Sequence, residues 1–160
     1  MTPQGNASDS ISPLTVLRRY MVVLVLLNLV WEFAHMPLYT IWEEGTIEEI
    51  LFAAVHCTGG DALIGLTAIM LAAFLFGGTH WPYERMRTVL FAAIGIGIGY
   101  TIFSEWLNIV VRQAWAYRDI MPVIPMFNVG LSPLLQWIVI PVLAYVIALK
   151  PVRHRRTQHA

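Results

Sequence analysis

Apolar residues fill this chain in four long blocks, each interrupted by a few polar positions and separated by short polar links. The first runs from about residue 14 to 36, about 23 residues or roughly 34 Å of helix, enough to cross a hydrocarbon core. Ser12-Pro13 ahead of it has the form of an N-cap followed by a first-turn proline, and Pro37 closes it. Thr46-Ile47-Glu48-Glu49 has the capping-box pattern and opens the second block, spanning about residues 50–76. That motif gives Glu48 and Glu49 a local role at a helix start, and they are set aside as site residues. Gly77-Gly78 ends the second block, and a polar turn leads to a third, about 88–111. Ser132-Pro133 repeats the cap-plus-proline start, and the fourth block covers about 131–149, with Pro141 expected to kink it.

The pattern predicts an all-α, polytopic membrane protein, a four-transmembrane-helix bundle occupying residues 12–149 as one domain. Residues 112–130 are too broken by charges and prolines to span and too apolar to float in water, so they are expected to form an interfacial cap between the third and fourth helices. Residues 1–11 and 150–160 read as polar tails, disordered at the N-terminus and basic at the C-terminus.

Composition agrees with this reading. Hydrophobic residues make up 58% of the chain and charged residues 12%, against about 25% charged in a soluble domain. The zero formal net charge gives no reason to expect nucleic acid as a partner. Arg18, Arg19, Arg85, Arg87, Lys150, Arg153, Arg155 and Arg156 fall on the side of the termini, and only Arg112 and Arg118 on the other. The positive-inside rule then puts both termini in the cytoplasm of a multi-pass cell-membrane protein, the inner membrane in a Gram-negative bacterium. The lone Cys57 excludes an intramolecular disulfide.

Polar residues inside the blocks carry the candidate chemistry. Measured along each helix from its outer end, Glu32 lies roughly 7 Å deep, and His56 and Glu105 roughly 9 Å, so the three share a layer. Asn28, Glu32 and His35 share one face of the first helix, and Thr101, Glu105, Asn108 and Arg112 one face of the third. His56 and Asp61 are about 140° apart on an ideal helix, so bringing both inward calls for a distortion at Gly59-Gly60. Ionisable groups at such depth are costly, and Glu32, His56, Asp61 and Glu105 are the candidate acid–base residues. Glu32-x-x-His35 offers a carboxylate and an imidazole from one helix, so Glu32, His35, His56, Glu105 and Asp61 form a candidate ligand set for zinc, iron or manganese. Asn108, Arg112 and Arg118 are candidate contacts to a substrate head group. Asn28, Thr101, Ser132 and Gln136 read as interhelical hydrogen bonders.

Three functions fit these residues. One is an intramembrane enzyme, metal-assisted or acid–base, acting on a lipid, quinone or isoprenoid that enters from the bilayer. Another is a cation- or metal-binding or transport component. The third is a non-enzymatic subunit or assembly factor, with the small residues Gly95 and Gly99 offering a face for a homo- or hetero-oligomer.

Overall fold

A computed structural model describes residues 12–157 apart from Tyr83, with side chains described through Ala148. The expected N-terminal tail, residues 1–11, and the last three residues lie outside the described residues.

Helix α1, Pro13–His35, starts as its sequence requires, with the Ser12 hydroxyl accepting from the Thr15 N–H and proline in the first turn. Its buried positions are Val16, Tyr20, Leu24, Asn28, Glu32 and His35, spaced by three or four residues so that they line one stripe. A 3-10 turn, Met36–Leu38, and a short helix α2, Ile41–Glu44, lead to α3, Ile47–Phe76. The capping box at Thr46 and Glu49 is formed in both directions. Helix α4, Met86–Glu105, continues into a π-helical turn, Trp106–Val111. A two-stranded hairpin follows, β1 Val123–Ile124 with β2 Val129–Gly130, before α5, Leu131–Thr157.

The long helices pack in the cyclic order α1, α3, α4, α5, each against its two neighbours. Four segments, Pro13–Leu38, Ile47–Phe76, Met86–Val111 and Leu131–Ala148, are long and apolar enough to cross a bilayer. Tyr20, Leu24, Ile69, Ala72, Val89, Ala93, Ile140 and Ala144 form the core of one half of the bundle. The outward faces remain apolar, with Leu26, Val30, Leu63, Phe74 and Phe91 exposed. In water that would be a liability, whereas in lipid it is a match.

Three details differ from the sequence reading. First, α3 runs through Gly59-Gly60 without a break. Each glycine costs a helix only about 1 kcal/mol, and an unbroken helix satisfies its own backbone where water is scarce. With no distortion, Asp61 turns inward and His56 outward. Second, Ser132 and Pro133 fall inside the first turn of α5, which begins at Leu131 and continues past Pro141 to Thr157, into the expected basic tail. Third, Gly95 and Gly99 leave open space, while Gly97 between them packs so closely on Trp137 that a Cβ would overlap the indole. The small residue that lets α4 approach α5 is therefore Gly97.

Residues 112–130 do cover one end of the bundle. They are fastened to the link between α1 and α3 by an antiparallel bridge between Tyr39 and Tyr117, with Thr40 N–H donating to Ala116 C=O at 3.0 Å and Arg118 N–H to Leu38 C=O at 2.9 Å. Arg118 adds a guanidinium hydrogen bond to Pro37 C=O at 2.6 Å and an ion pair with Glu43.

Candidate functional site

Under this cap the inward stripes of α1, α3 and α5 meet around one side chain, Gln136 of α5. Its Nε2 lies 2.9 Å from Asn28 Oδ1, 3.0 Å from Glu32 Oε1 and 2.8 Å from Asp61 Oδ2. Asn28 turns its own NH2 to Leu24 C=O at 3.0 Å, which is why its oxygen faces Gln136. Gln136 and Asn28 are almost wholly buried, and so are Glu32 and His35. Groups so placed must be hydrogen-bonded, and each of these is.

The network extends toward the cap end through His35. Its Nε2 lies 3.1 Å from Glu32 Oε2 and its Nδ1 3.1 Å from Ser132 Oγ. Both nitrogens are engaged, and so are both oxygens of Glu32. The displaced start of α5 explains the second contact, because Ser132 sits one helical turn before Gln136 on the same face.

Glu105 belongs to a second, adjoining group. It is buried at the end of α4 and accepts a short hydrogen bond from the Tyr117 hydroxyl, which in turn accepts from Gly130 N–H at 2.8 Å. Burial pushes the Tyr117 hydroxyl well above the usual phenol range, helped by the Glu105 charge and hydrogen bond against the opposing Gly130 N–H. Tyr39 stands between the two groups, edge-on to His35 at 5.3 Å and to Tyr117 at 5.4 Å between ring centroids. Burial, and then the charge of Glu105, push its hydroxyl up as well.

A cleft of about 1110 Å³ opens beside these groups. Phe52, His56, Gly60 and Asp61 of α3 form one wall, and Tyr100, Ser104 and Glu105 of α4 with Asn108 of the π-helical turn another. Glu32, His35, Gln136 and Trp137 also line it. Phe52 and Tyr100 are exposed on the flank of the bundle. A Cβ at Gly60 would meet nothing within 4 Å, so α3 presents an indented wall there.

No known family model, curated protein or solved structure matches this chain.

The structure brings Glu32, His35 and Asp61 together and sets Glu105 beside them on the same cleft. His56 does not join them. It is exposed at the rim, its ring stacked on Phe52 with centroids 5.4 Å apart. The expected metal set of Glu32, His35, His56, Glu105 and Asp61 does not assemble, and among the described residues no three His, Cys, Asp or Glu side chains are grouped to hold an ion. The reasons are local: His56 faces away, while Glu32 and His35 already satisfy one another, Ser132 and Gln136. Asn108 donates to Ser104 C=O at 2.9 Å and lines the cleft, as does the exposed Arg112. Among the described residues Arg112 forms no ion pair with Glu105, and Arg118 lies off the cleft, holding the cap.

Reading the sequence for ionisable groups undervalued Gln136 and Ser132 and missed Tyr39 and Tyr117. Gln136 and Ser132 had a signal, since they lie i, i+4 apart and complement the Asn28, Glu32, His35 stripe. The tyrosines lie in connections, where helical spacing carries no information.

Proposed function

We propose that this is a multi-pass membrane protein, both termini cytoplasmic, that admits a lipid-soluble molecule sideways between α3 and α4 and acts on it by acid–base chemistry. The observation that carries this reading is the cleft, whose facing walls bear the carboxyl groups of Asp61 and Glu105 and whose rim bears apolar side chains on the flank of the bundle. A carboxyl on one wall and a carboxylate on the other suffice to add a proton at one carbon and remove one from another, which shifts a double bond without any co-reactant. The Tyr117 hydroxyl orients Glu105, and the Gln136 amide orients Asp61. The Asp61 and Glu105 carboxyl groups on the cleft can accept hydrogen bonds from a ligand's polar end, which suits an isoprenoid or lipid alcohol.

The test is deuterium incorporation. The protein in vesicles of bacterial lipid extract is incubated in D2O, and the lipids are examined by mass spectrometry. One lipid species should gain a non-exchangeable deuterium, and Glu105→Gln and Asp61→Asn should each abolish the gain. Identical labelling with and without protein would remove the enzyme reading.

A non-enzymatic subunit is the second reading, supported by the open, outward Gly95 and Gly99. Leucine at both positions would then release a co-purifying partner while leaving the cleft intact. A cation-binding component has less support, because Glu32 and Glu49, which line the cleft, already accept hydrogen bonds within the protein.

A further inference from the structure

The Gln136 amide has two hydrogens, yet three oxygens surround its nitrogen. Two of those oxygens belong to the carboxyl groups of Glu32 and Asp61, so one further proton held by this pair completes the set. Glu32 and Asp61 line the cleft, and a second route to them runs within the bundle. The structure holds an unbroken chain of exchangeable groups from Ser132 Oγ through the two nitrogens of His35 to Glu32 Oε2 and, across the carboxyl, to the oxygens around Gln136. Ser132 is half-buried in the first turn of α5 and does not line the cleft.

We infer that Ser132 and His35 form a proton relay that loads the Glu32–Asp61 pair from the cap end of the bundle, entering at Ser132, off the cleft, and not through the opening between α3 and α4. The balance is simple. Hydronium gives a proton to Ser132 Oγ and becomes water, while the hydroxyl's own hydrogen passes to His35 Nδ1; the Nε2 hydrogen passes to Glu32 Oε2, turning carboxylate into carboxylic acid. When Glu32 later returns its proton to Nε2, Nδ1 gives one back to Ser132 Oγ and the starting tautomer is restored. An imidazole bonded through both nitrogens is the side chain suited to accept at one atom and release at another.

The other titratable groups facing Glu32 are Asp61 and Cys57 from α3, Glu105 from α4 and Tyr39 from the link, while α5 offers only the uncharged Gln136. None of them connects Glu32 to Ser132. His35 does.

The inference concerns the same pocket as the proposed function but does not need a substrate. Infrared spectra of the full chain in lipid vesicles, taken after a rapid pH drop, follow the C=O band of protonated carboxyl groups; Glu32→Gln and Asp61→Asn assign it. Ser132→Ala should slow the appearance of that band about tenfold, the rate equivalent of one lost hydrogen bond. Ser132→Thr, which keeps the hydroxyl, should restore it, and added imidazole should restore it in His35→Ala. Gly60→Leu, which fills the cleft wall where there is space, should leave the rate unchanged. The inference is overturned if Ser132→Ala loads as fast as the parent, or if Gly60→Leu alone slows loading, since protons would then enter through the cleft. Loss of deuterium labelling with intact loading kinetics would reject the enzymatic reading and leave the relay standing.

Discussion

Gln136 on α5 and Asp61 on α3 lie across the bundle from one another in the packing order, yet their side chains meet at 2.8 Å. That contact crosses the centre of the bundle, and Glu32 joins it on the same nitrogen. Replacing Gln136 with leucine leaves three buried acceptors without their donor. The expected cost is about 2–4 kcal/mol, since each stranded buried acceptor, and a charged one above all, loses its compensation for desolvation. Unfolding in mixed micelles checks this, and Asp61→Asn combined with Gln136→Leu should recover part of the loss.

Gly97 predicts a contrast along one helix. Gly97→Ala pushes a methyl group into the Trp137 indole and should destabilise the bundle by about 1–3 kcal/mol. Gly95→Ala and Gly99→Ala meet open space and should be neutral or stabilising by up to about 1 kcal/mol through helix propensity. Thermal unfolding of the three variants decides it.

Tyr117 makes a prediction about pH. Its hydroxyl is held above the ordinary value of 10.0, chiefly by burial. A raised folded value means that its stabilising contribution is fully present below the unfolded pKa and is lost as pH rises from there through the folded one. Stability should therefore fall above about pH 10, and Tyr117→Phe should flatten that fall. Tyr39 adds to the effect in the same direction. Tyrosinate absorbance, followed beside unfolding, gives both quantities.

Arg118 predicts a local change without a large global one. Its ion pair with Glu43 is substantially exposed on the Glu43 side, and such pairs contribute about 0–1 kcal/mol. Arg118→Ala should thus barely move the unfolding midpoint. Hydrogen exchange at the amides of Thr40 and Arg118, which bridge the cap to the α1–α3 link, should nevertheless rise.

Much of the bundle was legible because helix-crossing length and capping chemistry are local properties. Ser12-Pro13, Thr46 and Glu49 do in the structure what their spacing implies. The inward faces of α1 and α4 followed from three- and four-residue spacing, and so Glu32, His35 and Glu105 could be placed. Depth alone misled for His56, because two residues at one height can point in opposite directions. Rotation about the α3 axis is set by packing, and Gly65 against Leu24 and Ala68, Ile69 and Ala72 in the core give Asp61 the inward place. The cap escaped detail for another reason. Tyr39 and Tyr117 find one another through backbone pairing between two connections far apart in the chain.

The carboxyl of Glu32 and the amide of Gln136 are 104 residues apart, so a growing polypeptide exposes the first long before it makes the second. His35, one turn along the same helix, is synthesised almost at once and already pairs with Glu32. During synthesis α1 thus has its own provisional partner for Glu32 before α5 exists. Removing His35 would then harm biogenesis before it harmed the finished protein.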